Sequence, residues 1–204
     1  MPLELYDVLV SLGASILIVL MGYAAGRSFR WALRNALERL GTDEWFRKFA
    51  IGKAILRGGY SPSEFFSLVA SWIIYVASVL TATYYVSSSL ELTEIRDIAY
   101  ALLTTYLVGF VKAFSIIITG FILVDSFISY LYKSSELRAE QELLTPVAEY
   151  LRILLYVVTV VFALEQGGIS IQALSNMLTP VIWGLTAVMI IIILGHVLGR
   201  VLRK

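Results

Sequence analysis

The chain has 204 residues, of which 59% are hydrophobic and 15% charged, with a net charge of +1. Globular domains run at roughly 45–50% apolar residues, so this composition excludes an ordinary soluble fold and makes lipid the solvent for the excess. The absence of cysteine excludes disulfides, zinc–thiolate centres and thiol nucleophiles, and the balanced charge gives no reason to expect a nucleic-acid partner.

A helix crossing a hydrocarbon core of ~30 Å needs about 20 mostly apolar residues. The first seven residues hold Glu4 and Asp7 but no Lys or Arg, so no cleavable signal peptide is expected. Val8–Ala25 is the first predicted span. RSFRWALRNALERL continues it as an amphipathic helix with Trp31, Leu37 and Leu40 interleaved, and WFRKFAIGKAILR follows. The segment Arg27–Glu64 carries the cations Arg27, Arg30, Arg34, Arg39, Arg47, Lys48, Lys53 and Arg57. Cations beside aromatics at a membrane surface attract anionic headgroups, at roughly 1 kcal/mol per cation. The plainer role of these charges is to set topology, and both can hold.

Ser61-Pro62-Ser63-Glu64 reads as a helix cap, a proline at the first helical position and a glutamate three residues after the cap. It opens the second span, Phe65–Val86. The next apolar stretch, Ile98–Tyr132, would run to ~50 Å as one straight helix. That length predicts a break near Gly109, with a span over Phe110–Leu131 and a half-helix or interfacial helix over Ile98–Val108. Thr145-Pro146 and Thr179-Pro180 repeat the cap-plus-proline pattern and open spans over Pro146–Leu164 and Pro180–Leu198, with Ser170–Leu178 as a second outer half-helix. Cations crowd the loops after spans one and three and the tail after span five, where Arg200, Arg203 and Lys204 stand. The opposite side holds Glu4, Asp7, Glu91, Glu94, Asp97 and Glu165, with Arg96 as its only cation. The positive-inside rule then places the N-terminus outside and the C-terminus in the cytoplasm of a multi-pass protein of the cell membrane.

The chain repeats itself. VDSFISYLYK (Val124–Lys133) aligns with GHVLGRVLRK (Gly195–Lys204) at a shift of 71 residues, pairing Asp125 with His196 and Gly109 with Pro180. YVASVLTA (Tyr75–Ala82) aligns with YVVTVVFA (Tyr156–Ala163) at a shift of 81. GYAAGRSFR (Gly22–Arg30) matches GHVLGRVLR at two glycines and two arginines. The predicted architecture is an all-α polytopic membrane helical bundle. Its five transmembrane helices form two parallel helical-hairpin repeats plus a leading half-repeat. The divisions fall at 1–64, 65–133 and 134–204.

The unit is a capped helix, a short outer connection with Gly and Ser, an apolar half-helix, then a helix ending Gly-x-x-x-Gly-Arg. In LGASILIVLMGYAAGRSFRWALRNALERLG, in VVFALEQGGISIQALSNMLTPVIWGLTAVMIIIILGHVLGR and more loosely in Phe65–Lys133, it resembles the "conserved TM helix" repeats of prokaryotic membrane proteins. Those accompany, or are related to, the small-conductance mechanosensitive channels. The resemblance implies a homo-oligomeric ion channel with an axial pore and inorganic ions as its cargo. A non-conducting membrane scaffold and a small secondary transporter are the alternatives.

Several residues are candidates for function. Gly22/Gly26 and Gly195/Gly199 are small-xxx-small pairs suited to a helix–helix seam, either between subunits or within one chain. Asp125 and His196 are ionisable positions in the cytoplasmic halves of their spans, where such groups face protein or water. Asp125 either lines a cation path or bridges helices, with Arg152 as a partner. His196 reads more readily as an interfacial histidine. Lys112, near the outer end of its span, either snorkels to headgroups or stands in an outer vestibule. Glu149 and Arg152, three apart on one helical face, form an expected ion pair. Gly109 and Pro180 are paired helix breaks of the kind that mark substrate or ion sites. No cofactor or metal set is expected and no enzyme: the single histidine lacks an HExxH context, and no GxxxxGK[ST] loop occurs.

Overall fold

The computed structural model describes residues 5–134, 138–170 and 172–201; within these, the side chains at 5, 7, 134, 138–144, 173–175, 177, 192–193 and 196–201 lie outside the described set. Among the described residues every regular element is helical. Helix α1 runs Leu5–Arg39, and the short helices α2 (Thr42–Phe46) and α3 (Ala50–Arg57) follow. Helix α4 covers Pro62–Ser89 and α5 Thr93–Ala101. A wide π turn over Leu102–Leu107 leads directly into α6, Val108–Ser134. Helices α7 (Arg138–Gln166) and α8 (Gln172–Val201) complete the order.

Four stretches are long and apolar enough to cross a bilayer: Val8–Arg39, Pro62–Ser89, Thr93–Lys133 and Thr145–Gln166. Within α8 the apolar run among described residues is Leu178–Ile191. The chain is therefore a multi-pass integral membrane protein, because several apolar helices with little buried surface of their own need lipid around them.

Three sequence expectations are corrected. The chain does not break at Gly109, which lies inside α6; the irregularity is the π turn just upstream. In lipid a true break leaves amides without partners, whereas a π turn keeps each one bonded while absorbing an extra residue. Pro180 likewise lies within α8 and ends no helix, so Thr179 is not its cap. Pro146 sits inside α7, so Thr145 is not a cap either. Membrane helices tolerate proline because neighbouring groups and local adjustment satisfy the carbonyl it frees. Consequently Ile98–Val108 is part of one helical run and not a separate half-helix, and Gln172–Leu178 belongs to α8.

The chain forms two compact units, Met1–Val111 and Lys112–Lys204. In the first, α1 and α4 pair antiparallel: Gly22 meets Ser78, and Gly26 meets Tyr75. Small residues make this possible. Ser63, Ser67 and Ser71 of α4 are buried, and Ser67 and Ser71 donate to carbonyls of their own helix, leaving no orphan hydroxyl. Tyr23 stacks on Tyr75 with ring centroids 5.7 Å apart. In the second unit α6 and α7 pair antiparallel around buried Val124, Ile128 and Ala148, with Leu131, Leu151 and Leu155 packed against them. Helix α8 is tied to α7 by a 2.6 Å hydrogen bond between the Tyr150 and Thr186 hydroxyls.

Candidate functional site

The polar centre of the second unit lies between α6 and α7. Asp125 projects from α6 and is only 8% exposed. The Tyr156 hydroxyl donates to Asp125 Oδ1 at 2.5 Å, and Arg152 Nε stands 3.7 Å from the same oxygen. One turn nearer the α7 N-terminus, Glu149 accepts two bonds from Arg152 Nη1, at 2.9 and 3.0 Å. The Tyr132 hydroxyl donates to Glu149 Oε1 at 3.4 Å, and Phe121 stacks on Tyr156 at 4.4 Å. Arg152 thus serves two carboxylates from one face of α7, and Asp125 is closed off by its partners. Arg152 Nε is buried and donates no hydrogen bond, so its pull on Asp125 is purely electrostatic. In lipid such a network locks the register of two helices, because sliding either one strands a charge.

The expected Glu149–Arg152 pair and the Asp125–Arg152 contact are both present. Lys112 is exposed, thirteen residues from Asp125 along α6 and so about 20 Å away; the two do not form one site. The side chain of His196 and that of Gly199 lie outside the described residues. The two glycine pairs differ. A Cβ on Gly22 would fall 2.1 Å from Ser78 Cβ, and one on Gly26 would fall 2.3 Å from Tyr75 Cε1, so this pair packs within the chain. A Cβ on Gly195 would meet nothing within 4 Å. Gly120 escaped the sequence reading. It presses on Thr159, where a Cβ would fall 2.3 Å from Thr159 Cγ2, and no small residue four positions away signals it.

In the first unit the site is a basic, aromatic surface at one end of the α1–α4 pair. Arg27, Arg34, Arg47, Lys48, Lys53 and Arg57 are exposed and Arg30 is half-buried. Trp31, Leu40 and Trp45 are exposed among them. From Trp45 a chain of ring contacts runs through Phe46, Phe49 and Phe66, with Phe46 buried and 5.0 Å from Phe66. Gly52 allows α3 to sit on the Phe46 carbonyl, a contact that any Cβ there would obstruct.

Ser61 caps α4, its hydroxyl accepting from the Glu64 amide at 3.2 Å, as the motif predicts. A second cap was not expected. The Asp43 carboxylate accepts from the Ser63 amide at 2.7 Å and from the Ser63 hydroxyl at 2.9 Å. An aspartate twenty residues upstream thus satisfies an orphan amide of α4 and fastens α2 to it. Nothing local in the sequence identifies this partner. Asp43→Ala is expected to cost about 1–2 kcal/mol and to release α2 and α3. Faster hydrogen exchange over 42–57, with α4 beyond Ser67 still protected, is the check; unchanged exchange would refute it.

Comparison with known protein families, curated proteins and solved structures finds no match for this chain.

Proposed function

We propose that this protein is a homo-oligomeric, channel-type component of the cell membrane with five spans. The N-terminus lies outside, the C-terminus in the cytoplasm, and the basic surface rests on anionic headgroups. The channel reading rests on the sequence resemblance to the mechanosensitive-channel repeats alone. The observation that carries the assembly is the free face of α8. Val181, Gly184, Val188, Ile191 and Gly195 are all exposed and spaced alternately by three and four residues, the interval of a coiled-coil seam. The opposite face, with Met189 buried and Thr186 bonded to Tyr150, faces α7. Copies of α8 around an axis would present apolar Val and Ile to it, and an apolar constriction closes a pore by dewetting.

The two units support the repeat. At the shift of 81, Ser67, Tyr75, Ser78 and Ala82 of α4 correspond to Ala148, Tyr156, Thr159 and Ala163 of α7, and the end pairs are buried in both. The repeat alignment also pairs Tyr23 with Asp125, and each meets the matching tyrosine by different chemistry: Tyr23 stacks on Tyr75, and Asp125 accepts from Tyr156. A non-conducting scaffold is the second reading, favoured by the closed ion-pair network around Asp125 and by the wholly apolar α8 seam.

Because the chain has no cysteine, any disulfide in a single-cysteine variant must join two copies. Oxidised Gly184→Cys and Gly195→Cys are expected to run as dimers in membranes, and Gly22→Cys as monomer. Dimers absent from both α8 variants would refute the seam. Patch recording of the reconstituted protein tests conduction; silence under all tensions and voltages leaves the scaffold.

A further inference from the structure

We infer that the Arg30–Arg34 pair is a phosphate site whose place is held by Glu64, an internal carboxylate that selects for doubly charged phosphate groups. This rests on the reading of the basic surface as a headgroup-binding face and deepens it.

Arg30 and Arg34 lie one turn apart on α1 and converge on the first turn of α4. Arg30 Nη2 is 3.9 Å and Arg34 Nη1 is 3.8 Å from the same oxygen, Glu64 Oε1. Neither distance is a hydrogen bond, so two guanidinium groups flank one carboxylate oxygen without donating to it. In this arrangement the one oxygen lies within ion-pair range of both arginines and outside hydrogen-bonding range of either. A tetrahedral phosphate offers three or four oxygens and accepts from two arginine forks at once. Arg34 Nε is engaged by Glu38 at 2.8 Å, which fixes the Arg34 side chain and leaves its Nη1 toward Glu64. Asp43, a third acid nearby, is occupied by Ser63. Arg27, one turn earlier on α1, is exposed and extends the row.

The carboxylate sets a threshold. An incoming anion must displace a unit negative charge from two cations. A phosphodiester carries one charge and gains little by the exchange. A phosphomonoester carries about 1.5 to 2 charges near pH 7 and gains more. The same group comes from two sources, a lipid headgroup such as phosphatidic acid or free phosphate.

The test uses the full chain in mild detergent with defined lipids, read by native mass spectrometry. The wild type is expected to retain phosphatidic acid in preference to phosphatidylglycerol. Glu64→Gln, which keeps shape and capping, is expected to raise phosphatidylglycerol retention about fivefold, the factor that one unit charge contributes at a surface, and so to erase most of the preference. Adding Arg30→Gln and Arg34→Gln to that variant should abolish the gain. Loss of bound lipid on adding millimolar inorganic phosphate assigns the site to the free anion, and retention assigns it to the lipid. Equal retention by wild type and Glu64→Gln, or a gain that survives in the triple variant, overturns the inference while leaving the headgroup surface standing. If neither wild type nor Glu64→Gln retains any anionic lipid or binds inorganic phosphate, both readings fall.

Discussion

Asp125→Leu is expected to lower unfolding free energy in micelles by about 2–3 kcal/mol, among the largest effects of any single change in the second unit. Leucine keeps the branched four-atom shape of aspartate with bulkier ends, so part of the loss is crowding against Val124 and Ile128. The rest is removal of the carboxylate that accepts from Tyr156 and faces Arg152. Removing one partner of a fully buried pair costs about 3–5 kcal/mol, chiefly because the other charge is stranded. Arg152 keeps 28% of its side chain exposed and retains Glu149, which moderates the penalty. The sign of the double variant is the sharper test. Asp125→Leu with Arg152→Met removes both charges together and is expected to recover at least half of the loss. Additive losses in the double variant would mean that the two residues act separately. The α8 association proposed above, if it forms, is expected to be unaffected by either change, which separates this network from that seam.

Gly22→Leu is the second large effect. Its Cβ alone would lie 2.1 Å from Ser78 Cβ, an atom fixed to the α4 backbone that cannot swing aside. The helices must part, and overpacking of this kind costs about 1–3 kcal/mol or more. Gly195→Leu is expected to leave the folded monomer at least as stable, since that position faces open space and leucine favours a helix over glycine. It should instead weaken self-association. Unfolding titration paired with a mass measurement distinguishes the two. Equal destabilisation by both substitutions would refute the assignment of one glycine pair to the chain's own core and the other to its outside.

Run length and loop charge made the helical membrane class legible, and the motif at Ser61–Glu64 marked the start of α4 correctly. The Glu149–Arg152 pair followed from spacing, and the Asp125 contact from the cost of an unpaired charge in lipid. The breaks at Gly109 and Pro180, expected from the length of Ile98–Tyr132 and from the repeat alignment, are absent. In a bilayer an open backbone group is costlier than a glycine or proline within a helix, and the chain stays helical through both. Asp43 was illegible for a different reason. Its partner Ser63 is twenty residues away, across two short helices whose packing depends on buried Phe46 and on Gly52. Gly120 was missed because the small-xxx-small rule looks for a second small residue on the same helix, whereas the partner here is Thr159 on α7.

Helix α1 continues without interruption from Leu5 to Arg39, 35 residues in all, or about 52 Å of rod. A bilayer with its headgroups is ~40–45 Å thick. An unbroken rod cannot cross the membrane and then bend to lie along its surface, so the excess length must stand out as a stalk or be taken up by tilt. The α4 N-terminus comes level with Arg30 and Arg34 through Glu64, and the stalk beyond it is little more than one turn. Because α1 and α4 are clasped at Gly22 and Gly26, they lean as one body. A bilayer thinner than the pair's apolar length is therefore met by tilting α1 and α4 together, not by bending either one.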